Sequence, residues 1–218
     1  MGRPSQDLAA LAARFRSAVN PDRLQGLAWS LGLSVEALTD LGIGWSADHR
    51  AWSVPMKDAR GNLLGIRFRR PNGFKFAVRG GREGLFVPGG ATEDKPLLLI
   101  AEGPTDVAAL LGMGFRNVVG RPSCMGGIRL LVELVQLRRP REVVIVADDD
   151  EAGRRGANNL ASALVAFTPS VRVIEPPSGI KDARAWLQAG GRYRDVQQAI
   201  EAAPVRQLAI RTVAVKKG

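Results

Sequence analysis

Two wholly apolar runs, Leu97-Leu98-Leu99-Ile100 and Val143-Val144-Ile145-Val146, constrain this chain more than any other feature. Successive side chains of a strand point to opposite faces, so a run with no polar member is a strand covered on both sides. Asn117-Val118-Val119 and Val171-Arg172-Val173-Ile174 read as two further strands. Helical stretches lie between and after them, from Pro104 to Leu111, Ile128 to Leu137, Glu151 to Ala166 and Ala183 to Gln188. The first of these opens on proline, which suits the first turn of a helix. Alternation of this kind predicts an α/β fold, with a parallel-type sheet flanked by helices.

The region before this unit reads differently. Residues 1–20 form an Ala- and Arg-rich helical extension. Two short helical pieces span Asp22 to Leu41 and join near Leu31-Gly32-Leu33, with Ser34 as the N-cap of the second. Short strands follow at 51–55, 63–70 and 74–78, separated by turns at 58–62 and 71–73. In the last strand Lys75 points away from the face shared by Phe74, Phe76 and Val78. A small mixed α/β subdomain over 21–95 therefore precedes the larger one over 96–190, and 191–218 reads as a C-terminal helix and basic tail.

Composition narrows the function. Of 218 residues, 45% are hydrophobic and 24% charged, ordinary for a globular chain. The single cysteine, Cys124, and the single histidine, His49, exclude a disulfide framework and a zinc site built from Cys and His in this chain. No apolar run approaches the roughly 18 residues of a membrane span, and Met1-Gly2-Arg3-Pro4 lacks the apolar core of a secretory signal. A cytoplasmic protein with no membrane partner is expected. The formal net charge of +10 favours a polyanionic partner. Between Arg60 and Arg82 lie Arg67, Arg69, Arg70, Lys75 and Arg79 with no acid among them, a local basic patch. His49 reads as a loop residue. The four tryptophans, Trp29, Trp45, Trp52 and Trp186, read as core or domain-contact residues.

Two acidic clusters sit where the buried strands end. Glu102-Gly103-Pro104-Thr105-Asp106 follows the first run and Asp148-Asp149-Asp150-Glu151 the second. Ligands of open α/β sheets bind at the carboxyl ends of the strands. Asp148 and Asp150 point the same way if the chain is still extended, and with Glu102 nearby they repel one another. A divalent cation relieves that repulsion, and all-oxygen ligands favour Mg²⁺, or Mn²⁺ as a substitute, over zinc. Helix capping alone is the competing account of Asp148–Glu151, but it does not require a second acid-glycine turn after another buried strand.

Residues 97–189 resemble a Toprim domain, the catalytic module shared by primases, topoisomerases and some nucleases. The resemblance rests on Glu102-Gly103-Pro104-Thr105-Asp106 and Asp148-Asp149-Asp150. The continuation through Ala152-Gly153-Arg154 and the segment Lys181-Asp182-Ala183-Arg184-Ala185-Trp186-Leu187 are similar to primases in particular. More loosely, Gly32–Leu38, Leu41–Gly44, Val54–Gly65, Gly73–Phe76 and Gly84–Phe86 are similar to the part of a primase core that precedes its Toprim domain.

The resemblance implies a DNA primase catalytic core, a nucleotidyltransferase that joins ribonucleotides on a single-stranded DNA template. It gives Glu102 as general base or metal ligand and Asp148 and Asp150 as ligands of Mg²⁺. Asp149 faces away, and Asp106 orients the Glu102 turn, joins a second metal site or caps its helix. Lys75 approaches nucleotide phosphates or template, and is counted with the catalytic acids. Arg67, Arg69, Arg70 and Arg79 follow the nucleic acid. Arg154 and Lys181 contact phosphate or pair with nearby acids.

Three features depart from the pattern. Cys124 alone cannot supply the zinc-binding module that primases commonly carry before this core, no Gly-x-x-x-x-Gly-Lys-Ser/Thr phosphate loop of a fused helicase occurs in these residues, and Val87-Pro88 stands where cellular primases often carry a basic residue. A separate helicase or zinc-binding, template-recognising protein is therefore an expected partner. Two alternatives use the same sequence: a metal-dependent nuclease on the same fold, and a non-catalytic nucleic-acid-binding subunit of a replication complex. The Arg- and Ala-rich composition is compatible with a phage or plasmid source.

Overall fold

The computed structural model describes residues 7–90 and 96–208. The first six residues of the expected N-terminal extension and the basic tail from 209 lie outside the described residues.

Three short helices open the fold, each started by a side-chain cap. Asp7 accepts from Ala9 and Ala10 N–H before α1 (Leu8–Ser17), and Asn20 accepts from Asp22 and Arg23 before α2 (Pro21–Leu31). Ser34 accepts from Ala37 N–H before α3 (Val35–Asp40), the cap expected from the sequence. Gly32 ends α2 in the left-handed conformation, φ +64°.

An antiparallel sheet follows, ordered β1 (Gly44–Ser46), β2 (Ala51–Lys57), β3 (Leu63–Arg69), β4 (Lys75–Ala77). The strand β1 was not anticipated; it is three residues long and carries no alternating pattern. Register sorts the side chains of β3. Trp52 pairs with Arg69, Val54 with Arg67 and Lys75 with Arg69, so these side chains share one face. Ile66 and Phe68 point the other way and bury completely against Phe15 of α1.

The second sheet is parallel, as expected. Its strands are β5 (Leu97–Glu102), β6 (Val118–Arg121), β7 (Glu142–Val146) and β8 (Ser170–Ile174), in the order β6-β5-β7-β8. The helices are α4 (Gly103–Gly112), α5 (Ile128–Arg138), α6 (Glu151–Leu164), α7 (Ala183–Gln188) and α8 (Tyr193–Ala202). The apolar runs divide by parity. Leu99, Ala101, Val144 and Val146 pack in one core with α4, α7 and α8, and Leu98, Ile100, Val143 and Ile145 pack in another with α5 and α6. From β5 the chain adds β6 on one side of the sheet and then β7 and β8 on the other, so the order of strands switches between the neighbours β5 and β7, and their carboxyl ends form the crevice where such sheets bind ligands.

The two sheets are tied together. Leu85 exchanges both backbone hydrogen bonds with Lys57 of β2, and the next residue, Phe86, exchanges both with Gly120 of β6. The core on the α4 side is continuous across this junction, joining Leu38, Trp52, Val54 and Phe86 to Leu110 and Trp186. No helix among the described residues is long and apolar enough to cross a membrane.

Candidate active site

Glu102 is the last residue of β5, two positions further along the strand than the apolar run suggested, because pairing with β6 continues through Glu102 and Arg121. Gly103 then turns the chain with φ +80°, a conformation that favours glycine, and Pro104 starts α4. This sharp turn puts Asp106 in the first turn of α4, only 7% exposed. Asp148 follows β7 and is half-buried.

One cavity of about 350 Å³ gathers Glu102, Asp106, Asp148 and a fourth acid, Asp182. Burial pushes the Asp148 carboxyl up to about 6, helped by the negative charges of Glu102, Asp182 and Asp150 and opposed by Lys181. Burial pushes Asp106 up to about 8, with Asp182 and Asp148 adding to it, although its Oδ1 accepts from Arg184 N–H at 3.1 Å. The acids thus hold more negative charge than their surroundings neutralise.

Two residues that lie beside these acids were not singled out from the sequence. Asp182 caps α7 by accepting from Ala185 N–H, yet its charge faces both Asp106 and Asp148. Its signal was present in the Lys181-Asp182 segment. Arg121 is 1% exposed and lies beside Glu102 in the sheet, with Nη2 4.0 Å from Glu102 Oε2 and Nη1 donating to Gly156 O at 3.1 Å. Burial lowers its pKa, while Glu102, Cys124 and Asp148 act in the opposite sense. No sequence signal marks Arg121 as different from the exposed arginines around it.

Other sequence candidates are distributed differently. Asp150 stays near Asp148, but its Oδ1 accepts from Gly153 N–H and caps α6. Asp149 points to Arg154, whose Nη1 lies 2.7 Å from Asp149 Oδ1 and 3.5 Å from Glu175 Oε2. Arg154 is therefore engaged with acids. Lys181, Lys75, Arg67 and Arg69 line the same cavity as the acids. Arg67 also reaches Glu83, at 3.7 Å. Arg70 does not join them; its guanidinium lies over the Phe74 and Phe76 rings and lines a neighbouring groove. Arg79 is exposed and lines neither space. Arg60 leaves the basic patch to pair with Glu133 of α5, at 3.6 Å.

The groove, of about 1110 Å³, runs between α2 and the antiparallel sheet and is lined by Arg23, Trp45, Arg50, Arg69, Arg70 and Arg184, among others. Arg23 lies over the Trp45 ring, 4.3 Å from its centroid. His49 stacks on Phe68 at 4.7 Å and its Nδ1 lies 2.8 Å from Ser46 Oγ, a turn residue as expected. Trp29 is 85% exposed and is not a core residue; it sits on the outer side of α2, away from the Ala28 and Leu31 positions that pack inward.

Among the described residues no three His, Cys, Asp or Glu are already closed around a point as a metal cage. The donor set nonetheless fits a hard cation. It is all carboxylate oxygen, it opens on a cavity, and its members raise one another's affinity for positive charge.

The sequence and fold comparisons agree with this geometry. Residues 97–175 match the Toprim domain model. The DNA primase DnaG of Thermofilum pendens is 30% identical over 130 residues, 53% of this chain and 30% of that relative, so the chain spans under a third of its length. The fold is similar to the zinc-binding and RNA polymerase domains of Aquifex aeolicus primase, with TM-score 0.73 and 18% identity over 91% of this chain and 60% of that one. It is also similar to a DnaG primase catalytic domain bound to single-stranded DNA, with TM-score 0.69 and 17% identity over 90% and 77% of the two chains. The parallel unit has the Toprim fold. With the antiparallel sheet in front of it, the whole described chain has the fold of the primase catalytic core.

Proposed function

We propose that the chain is the catalytic core of a DNA primase, which joins ribonucleoside triphosphates on single-stranded DNA. The observation that carries this reading is the composition of one cavity. Four carboxylates from the ends of the parallel strands and from α4 and α7 face cationic side chains from the separate antiparallel sheet. Acids gathered for a cation and bases facing them are what a triphosphate with its metal requires.

In the reaction the 3′-hydroxyl of the growing chain attacks the α-phosphorus of the incoming nucleotide. A P–O bond forms, the bond to the β-phosphate breaks, and pyrophosphate leaves. Glu102, backed by Arg121, takes the hydroxyl proton or shares in holding the cation. Asp148, with Asp182 and Asp150 beside it, would hold Mg²⁺, for which Mn²⁺ could substitute, and the ion would supply neutralisation of the charge that develops in phosphoryl transfer. Lys75, Arg67, Arg69 and Lys181 hold phosphates on the opposite wall, and the remaining catalysis is positioning and charge stabilisation. The DNA template lies in the basic groove lined by Arg23 and Arg70. A separate helicase or zinc-binding protein supplies unwinding and template choice.

The test is incorporation of labelled ribonucleotides on single-stranded DNA with Mg²⁺ or Mn²⁺, comparing the native chain with Asp148→Ala. Short RNA from the native chain alone supports the reading, with a loss of at least a hundredfold in the variant. Degradation of the template without nucleotides makes the site a nuclease instead.

A further inference from the structure

The acidic cavity and the basic groove share a wall, and two arginines stand in it. Arg69 comes from β3 and Arg184 from α7, and each lines both spaces. Both are anchored by backbone. Arg69 is held in register between Trp52 and Lys75, and Arg184 follows the Asp182 cap, with its own N–H bound to Asp106. Among the described residues neither guanidinium forms an ion pair with a carboxylate. The Nε of Arg184 is buried without a hydrogen-bond partner. A buried donor left unpaired is costly, and two like charges in one wall repel. Burial and the charge of Arg184 together lower the pKa of Arg69.

We infer that Arg69 and Arg184 form a clamp for one phosphate group, closing across the two halves of the fold. Each guanidinium presents a planar fork matched to phosphate oxygens. An anion between them satisfies the orphaned Nε–H and removes the repulsion. The shared wall places that phosphate between the acids and the groove. The cavity also holds Lys75 and Lys181, which favours the polyphosphate of a nucleoside triphosphate over the backbone of a polynucleotide. Arg184 contributes this from the α7 turn, among the carboxylates, where the acidic pattern of the site gave no reason to expect a cation. The identity of the nucleotide rests on the primase reading; the clamp for phosphate does not.

The test is equilibrium binding to the full chain, without divalent ion, of inorganic tripolyphosphate, ATP and a single-stranded oligonucleotide lacking terminal phosphates. Arg69→Ala and Arg184→Ala are each expected to weaken tripolyphosphate and ATP binding about tenfold or more. The double variant should lose less than the product of the two, because both residues grip one group. Arg184→Lys keeps the charge without the fork and should recover only part. Losses confined to the oligonucleotide keep the clamp and assign it to backbone phosphate. Binding of all three probes by Arg184→Ala and Arg184→Lys at native strength, with native melting temperatures, overturns it. RNA synthesis is read separately. A native chain that makes no RNA but binds tripolyphosphate through Arg184 loses the primase reading and keeps the clamp. A chain that makes RNA while Arg184→Ala binds normally keeps the reading and loses the clamp.

Discussion

Asp106 carries the most perturbed carboxyl of the site, and its consequence can be measured on the folded protein. Its pKa rises to about 8, with burial the largest cause, whereas an unfolded chain gives it the ordinary value of 3.8. Between those values the unfolded state binds fewer protons than the folded one. Stability therefore falls as pH rises through that window, by on the order of a few kcal/mol in all. Asp148, raised to about 6, adds to the fall only in the lower part of the window. Asp106→Asn keeps an acceptor for Arg184 N–H and removes the charge. Metal-free melting temperatures of this variant should match the native chain at about pH 4 and exceed it increasingly toward pH 8, by roughly 2–4 °C per kcal/mol for a chain of this size. Equal pH profiles for the two proteins would show that Asp106 is not held protonated. The sequence candidates that meet in one cavity, Glu102, Asp148 and Asp106, are those that the ends of buried strands deliver locally. Asp182, Arg121 and Arg184 join them from other segments, and the bond from Arg184 to Asp106 spans 78 positions. Nothing in the pattern around Arg121 distinguishes a buried arginine from a solvated one; only the register of β6 against β5 places it beside Glu102.

Among the elements, β6 is the shortest strand of the parallel sheet, and its Gly120 is closely packed. A Cβ added to Gly120 would stand 2.7 Å from Val107 Cγ2, 2.9 Å from Gly103 O and 3.2 Å from Phe86 Cβ. The glycine thus lets three pieces meet: the turn that presents Glu102, the first helix after it, and the segment that joins the two sheets. Gly120→Ala has no room to relax without moving backbone at Gly103. It should destabilise the fold by about 1–3 kcal/mol and lower nucleotide incorporation beyond what the lost folded fraction explains, because the Glu102 turn is displaced. Thermal melts and assays well below the melting temperature separate the two effects; full specific activity of the folded variant would show that the turn tolerates the shift. Both sheets were largely legible because their patterns differ. Wholly apolar runs announce the central parallel strands β5 and β7, while Gly61 and Gly73, both at positive φ, punctuate the antiparallel ones. The strand β1 was not legible, since three residues cannot establish a period. The close approach at Gly120 was not either, because a glycine in a strand gives no hint of which neighbour requires it.

At the scale of the whole molecule, a net charge of +10 is only useful if it faces the polyanion. The fold sorts the basic patch by strand parity. Arg67, Arg69 and Lys75 are turned toward the acidic cavity, Arg70 toward the groove beside it, and Arg60 is carried away to Glu133 of α5. A sequence shows a continuous basic stretch, and only the register separates its members. This separation predicts how binding to single-stranded DNA responds to salt. Each phosphate neutralised releases counterions, so the logarithm of the binding constant falls linearly with the logarithm of salt, with a slope of about −0.7 for each contact on a single strand. Arg23→Ala and Arg70→Ala, in the groove, should each weaken binding at about 0.1 M salt and flatten the slope by about 0.7. Arg60→Ala should leave the slope as it is, although it removes the same formal charge. A Debye length of about 10 Å at that salt concentration keeps a charge outside the groove from substituting for a contact within it. Equal flattening by all three variants would mean that DNA responds to net charge alone, and that the basic groove is not where the strand lies.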